Sequence, residues 1–485
     1  MDCASSRWQC GQVLLLVVLL YGQRTHASNT RLPIVGSEVA GNEGKRRMNS
    51  SLPNYDLYHR SDVFQKELKA LVDRHPLIMK MEVLQAEGLK DGGNEGYHTE
   101  MTVVTVEAGG KGARDDQNMR LLLDFGQHGR ELVTSEVALR LLQILGGEHP
   151  LGDIDAGTLY RILPHATIKI VPMENLNGRR RVEAGDLCER KNGRGVDPNR
   201  NWGVDWGKKE KDYDPSEEYP GIAPFSEPET KILRNLAESF KPHVWVNVHS
   251  GMEALFMPYD HKTNIPVDGG PAMKSLLQIL NKQHCEEKCV IASGGDAVGY
   301  LAHGTATDYM YDMLRVPMAF TWEIYGDLAQ PEDECFQMFN PATPSKFEAV
   351  VSTWSSSFLT LLINLPRSLH SIPNRYPTLE VWDWESWPIS SLPEIPDLEL
   401  RKRFSAFTDP LLSAEDSGSI EMGAKSRLGV GVGKSEVAGL FHEFLVLLGG
   451  VLVLLIFFKL CGCYCARWNP VRYARLFDRG RRIPV

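Results

Sequence analysis

Polar side chains able to do chemistry recur in this chain where apolar runs have just ended. His128 and Glu131 come first, three residues apart in Asp124-Phe125-Gly126-Gln127-His128-Gly129-Arg130-Glu131, directly after Leu121-Leu122-Leu123. An imidazole nitrogen and a carboxylate at that spacing, delivered by the end of a buried strand, can aim at one point. They are two of the three protein ligands a catalytic zinc ordinarily takes, with the fourth position left for water. Alone, the same pattern also describes a solvated pair on a helix surface. His249 supplies a third candidate ligand. It follows Val244, Val246 and Val248, which share one face of an alternating strand, so its ring emerges at the sheet edge. A lone edge histidine would be structural, but His128, Glu131 and His249 together form the donor set of a hydrolytic zinc site with an open position.

The elements that must hold these residues alternate in type. Leu77 to Val83, Thr102 to Val106, Arg120 to Phe125, Ala166 to Met173, Val244 to Val248 and Met318 to Trp322 read as strands. Helical periodicity follows Tyr55 and covers Glu136 to Leu145 (capped by Thr134 or Ser135), Glu227 to Phe240 and Ala272 to Gln283. The fold class implied is α/β: a mixed, largely parallel sheet with helices on both faces. Each polar stretch follows a strand directly: His128 to Glu131, Asn175-Leu176-Asn177-Gly178, His249-Ser250-Gly251, then Glu323. In open sheets of this class ligands sit beyond the carboxyl ends of the strands.

The 485 residues, 42% hydrophobic and 24% charged, suit one large globular domain with appendages. A net charge of −9, without a basic stripe, argues against nucleic acid as a partner. Residues 1–27 read as a secretory signal peptide, with the apolar run Val13 to Leu20 and a small-x-small site ending at Ala27. Residues 28–51 read as a flexible leader carrying the sequon at Asn49, 52–366 as the catalytic domain, and 367–437 as a stalk of little structure. Residues 438–466 read as a transmembrane helix with its juxtamembrane segment, built on the uncharged run Phe444 to Phe458, and 467–485 as a basic cytosolic tail. The expected location is the secretory pathway or plasma membrane, single-pass type I, with the domain lumenal or extracellular. Cys461, Cys463 and Cys465 are candidates for S-acylation. The four remaining lumenal cysteines allow three pairings; the short loop favours Cys285 with Cys289, leaving Cys188 with Cys335.

The chain resembles the M14 (carboxypeptidase A/B) zinc carboxypeptidases over roughly residues 51–365. The motifs that carry the likeness are His128-Gly129-Arg130-Glu131, Arg190-Lys191-Asn192, Gly195-Val196-Asp197-Pro198-Asn199-Arg200-Asn201-Trp202, His249-Ser250 and Phe320-Thr321-Trp322-Glu323. The resemblance implies one zinc ion on His128, Glu131 and His249, with Glu323 as general base and Arg190 stabilising the oxyanion. It also implies that Arg200 and Asn199 grip the substrate's terminal carboxylate and that Tyr300 closes over it. Asp197 would orient a zinc-bound histidine, and Arg130 would line the substrate groove. The substrates implied are peptide or protein C-termini. Arg179, Arg180 and Arg181 match no assigned role and are expected in a solvated loop.

Met257-Pro258-Tyr259-Asp260 resembles the stretch in which the regulatory members pair an aspartate with a C-terminal Lys or Arg, so Asp260 points to basic specificity. Thr307 stands where digestive B-type enzymes carry an acid, and leaves the pocket uncommitted. No large inhibitory pro-domain is expected ahead of Tyr55, and no transthyretin-like domain in the stalk. Two competing readings remain: an inactive member acting as a peptide-binding or receptor module, and a hydrolase of a non-α or D-linked amide.

Overall fold

The structure, a computed structural model, describes residues 53–86, 97–108, 118–151, 154, 156–330 and 335–372, all within one structural unit that begins at Ser50. Its elements are α1 (Ser61–Arg74), β1 (Met79–Gln85), β2 (Glu100–Glu107), β3 (Met119–Phe125), α2 (Leu132–Leu145), α3 (Ala156–Ile162), β4 (Ala166–Val171), α4 (Leu176–Glu183), α5 (Pro228–Phe240), β5 (Val244–His249), β6 (Met252–Met257), α6 (Gly270–His284), β7 (Val290–Ser293), α7 (Gly294–Ala297), α8 (Ala306–Asp312), β8 (Met318–Tyr325), α9 (Cys335–Phe339) and α10 (Pro344–His370). The strands form one eight-stranded sheet in the order β1-β2-β4-β3-β5-β8-β6-β7. Its centre, β4-β3-β5-β8, is parallel. Antiparallel pairings join β1 to β2, β2 to β4 and β6 to β8, and β7 runs parallel to β6. This is the mixed sheet the sequence implied.

Burial on both faces explains the continuous apolar runs in the central strands. Successive side chains point to opposite faces. Trp322 and Phe125 both pack on Phe358 of α10, with ring centroids 4.6 Å and 5.4 Å apart. On the other face Trp245 and Thr321 meet Thr307 of α8. Helix α10 lies along α2 and α6, while α5 packs on β1 and β2.

Several boundaries differ from expectation for identifiable reasons. Helix α2 starts at Leu132, ahead of both expected caps. Thr134 lies inside it, its hydroxyl donating to the Glu131 carbonyl (2.8 Å) and accepting from the Gly126 N–H (3.1 Å). The free N–H of Val133 goes to Asn340, far along the chain (3.0 Å), so no local capping side chain is needed. The expected basic loop is instead α4: Arg179 is buried, donating to the His59 carbonyl at 2.6 Å and to Glu183 at 3.1 Å. Strands β6 and β7 carry no alternating pattern that marks them in the sequence. Helix α10 continues to His370, beyond the boundary expected at residue 366. The segment Cys335–His370 is long and apolar enough to cross a membrane, but 61% of its most apolar window is buried and it packs in the core. Both expected disulfides, Cys188–Cys335 and Cys285–Cys289, are formed. The expected signal peptide, leader, transmembrane segment and tail lie outside the described residues, as does the stalk beyond residue 372.

Candidate metal centre and active site

Strands β3, β5 and β8 deliver the chemistry to one edge of the sheet. After Phe125, Gly126 takes φ +69°, and a Cβ there would lie 3.2 Å from the Met173 backbone. This left-handed turn swings Gln127 and His128 off the strand axis, a conformation glycine adopts without penalty. At Gly129 a Cβ would come within 2.7 Å of the Gly178 carbonyl, so the backbone between His128 and Glu131 must pass that segment bare. Glu131 sits at the N-cap of α2. His249 and Glu323 are direct register partners at the carboxyl ends of β5 and β8.

The three expected ligands meet. Donor atoms of His128, Glu131 and His249 lie within 4.8 Å of one another, and all three residues are buried. His128 Nδ1 is 2.7 Å from Glu131 Oε1, and His249 Nδ1 is 3.1 Å from both His128 Nδ1 and Glu131 Oε2. Two imidazole nitrogens facing each other beside a carboxylate, away from solvent, are a donor set that suits zinc. Burial pushes the Glu131 carboxyl up, but the adjacent imidazoles outweigh it and hold the group well below the carboxylate range. Asp197 backs this set, its Oδ1 3.2 Å from His128 Nε2 and its Oδ2 2.9 Å from Arg190 Nε. Arg190 in turn reaches His128 Nδ1 through Nη1 at 3.3 Å.

Glu323 is fully buried, and neither of its carboxylate oxygens has a hydrogen-bond partner. Burial first, and the Glu131 charge second, push its carboxyl well above the ordinary range. Arg200 lies on the turn after Asp197, its Nη1 donating to the Asn199 carbonyl at 3.1 Å and its Nη2 to Glu218 at 2.7 Å. It lines a small cavity together with Tyr300. Asn199 turns its side-chain oxygen away, accepting from the Ala306 N–H at 3.0 Å. Asp260 is buried and pushed up to about 7 by burial and then by Asp308. Thr307 is also buried, its hydroxyl receiving Trp245 Nε1 at 3.2 Å and bonded to Thr321 Oγ1 at 2.7 Å. Arg130 packs over Phe339, 4.2 Å from the ring centroid, with Nη1 on the Cys188 carbonyl (3.0 Å) and against Glu217 (2.8 Å).

Sequence reasoning missed two groups. Gln127 donates to Glu174 (2.8 Å) and accepts from Asn247 (2.9 Å), tying the turn that carries His128 to the segment after β4 and to the strand that carries His249. Glu217 and Glu218 each neutralise an arginine of the site. Adjacent acids in a polar loop look solvated, and only their tertiary partners distinguish them.

Residues 94–353, which contain every residue discussed in this section, match the peptidase M14 family, described as zinc carboxypeptidase. Zinc carboxypeptidase A 1 of Drosophila melanogaster is 25% identical over 286 residues, 56% of this chain and 62% of the relative. Carboxypeptidase A2 of Mus musculus is 27% identical over 292 residues, 56% and 63% of the respective chains. The chain therefore spans less than two thirds of the length of these relatives. Bovine thrombin-activatable fibrinolysis inhibitor, solved with tick carboxypeptidase inhibitor, superposes with a TM-score of 0.51 at 19% identity, over 64% of this chain and 99% of that one. That likeness is one of fold. The family match extends over more than half of the sequence and encloses the His128, Glu131 and His249 cluster, and the chain belongs to the zinc carboxypeptidase family, peptidase M14.

Proposed function

We propose that this chain is a zinc metallocarboxypeptidase that removes single residues from the C-termini of peptides or proteins. The observation that carries the reading is the unpartnered Glu323 carboxylate held beside the His128, Glu131 and His249 cluster in a dry interior. When bound, zinc supplies Lewis acidity, making water nucleophilic near neutral pH and polarising the scissile carbonyl. Glu323 accepts the proton of the attacking water and returns it to the leaving amine as the C–N bond breaks. The products are a shortened peptide carboxylate and a free amino acid. Arg190, fixed by Asp197, offers positive charge to the oxyanion that develops on the carbonyl. Arg200 and Asn199 anchor the substrate's terminal carboxylate, with Tyr300 across the same cavity. Arg130 steadies the groove wall through Phe339 and Glu217.

Asp260 supports a preference for C-terminal Lys or Arg. Its carboxyl is pushed up to about 7 by burial and the neighbouring Asp308, which the Thr305 hydroxyl, Arg200 and His261 offset only in part. A cationic side chain would restore its ionised form. The type I membrane topology stays part of this proposal; two disulfides in the domain favour an oxidising compartment. The test is hydrolysis by the purified full chain of peptides ending in Arg or Phe, with and without a chelator, beside Glu323→Gln. Activity that needs metal, falls by about 10²–10⁴ in kcat in the variant and favours Arg supports the reading. Turnover surviving both chelation and the substitution overturns the mechanism, and a strong Phe preference overturns the specificity.

A further inference from the structure

Arg200 already has a carboxylate partner. Its Nη2 is 2.7 Å from Glu218 Oε1, while Asp197 Oδ2 lies 3.9 Å from Nη1. The two side chains are largely enclosed, at 6% and 20% exposure, and both line the cavity that Tyr300 also lines. Glu218 is held there by its own turn, its N–H donating to the Asp214 carbonyl at 2.8 Å. A carboxylate gripped bidentately by a guanidinium needs two of its N–H groups on one edge. With Nη2 committed to Glu218, a substrate carboxylate cannot take a full grip without sharing or displacing that bond.

Resting on the carboxypeptidase reading above, we propose that Glu218 is a specificity-determining residue: it stands in for the substrate carboxylate on Arg200 and admits C-terminal residues with a cationic side chain in preference to neutral ones. A terminal carboxylate arriving at Arg200 meets the like charge of Glu218. A neutral C-terminal residue leaves that repulsion in place. A C-terminal Lys or Arg carries a cation on the same residue as the incoming carboxylate, and the released Glu218 carboxylate pairs with it. The cavity wall also carries Glu210 and Asp212, and Glu210 already has basic partners of its own in His303 (2.9 Å) and Lys208 (3.7 Å). Specificity achieved by a charge left unpaired against the wrong ligand is a general device of recognition sites.

The experiment measures kcat and KM for two peptides that differ only in a C-terminal Arg or Phe, using the zinc-loaded full chain, Glu218→Gln and Glu218→Asp. The expected result is that Glu218→Gln lowers the ratio of the KM for the Phe peptide to that for the Arg peptide by about fivefold, as for a partly exposed charge pair. Glu218→Asp, which keeps the charge, is expected to stay near the wild-type ratio. A ratio unchanged in Glu218→Gln overturns the inference, whatever happens to the two constants separately. Failure of the underlying reading looks different: the wild-type chain would then leave both peptides intact, or cleave an amide-ended version as readily as the free acid.

Discussion

Replacing Asp197 with Asn tests whether one buried anion organises the whole site. Asp197 is fully buried, with Oδ1 on His128 Nε2 (3.2 Å) and on the Asn199 N–H (2.8 Å), and Oδ2 on Arg190 Nε (2.9 Å). Burial pushes its carboxyl up, yet Arg190, His128 and Arg200 together hold it far below the usual range, which makes the ionised form the working one. An Asn of the same shape keeps one acceptor oxygen and turns an NH₂ toward either Arg190 or His128, both of which donate. One charged hydrogen bond is lost, worth about 1.5–3 kcal/mol, and a buried guanidinium loses its counter-charge. Breaking a buried pair costs ~3–5 kcal/mol of stability, so the metal-free variant should melt on the order of 5–10 °C lower. Zinc affinity, read by competition with a chromophoric chelator, should fall about 10–100-fold because His128 loses the acceptor that fixes its tautomer and ring. The melting and affinity measurements are separable, since one uses stripped protein and the other divides a limited amount of zinc between protein and chelator. An Asp197→Asn variant that melts lower but binds zinc as tightly as the parent would refute the orienting role and leave only a structural one.

Two further expectations concern the fold. Burial, with Arg120 adding to it, lowers the His243 imidazole from 6.5 to about 3, so it folds neutral. Its contribution is complete above about pH 6.5 and is lost as pH falls toward 3, on the order of a few kcal/mol; urea titrations at pH 7 and 5 should show this slope flattened in His243→Gln, and an equal slope in both proteins would contradict it. Phe358→Ala should cost ~3–5 kcal/mol, because the ring fills the space between Trp322 and Phe125, and calorimetry should show this without loss of zinc stoichiometry.

What the sequence revealed depended on how local the cause was. His128, His249 and Glu323 were legible because each follows an apolar strand, Glu131 because it stands three residues after His128, and the family resemblance gave the set its chemistry; the register of β5 on β8 sets His249 and Glu323 side by side. The disulfides followed from a short loop and elimination. The start of α2 was misplaced because its cap, Asn340, is supplied by tertiary structure. Arg179 reads as solvated from sequence because its burial depends on the carbonyl of His59, which no pattern near α4 foretells. Strands β6 and β7 lack a period because β6 is nearly all apolar and β7 is four residues long. Thr307 entered the pocket reading through the resemblance, and its hydroxyl bonds Trp245 and Thr321, partners that no local pattern foretells.

The distribution of charge separates the groups that hold the site from those that would act in it. Arg130, Arg190 and Arg200 are all buried, and each meets an acid: Glu217, Asp197 and Glu218 respectively. Desolvating a guanidinium without such a partner would cost several kcal/mol, so these pairs are conditions for the arginines to be there at all. Glu323 breaks the pattern. Its oxygens have no hydrogen-bond partner, and near it His249 Nε2 and Ser250 Oγ are likewise unpaired. Buried polar groups are ordinarily satisfied, and a local cluster of exceptions needs a cause. The covalent frame supplies none: β5 and β8 are regular to their ends, with His249 and Glu323 in register. Arg130, Arg190 and Arg200 each sit against an acid, whereas Glu323, in register with His249 of the metal-ligand set, has no hydrogen-bond partner, the state required of the proton acceptor proposed above.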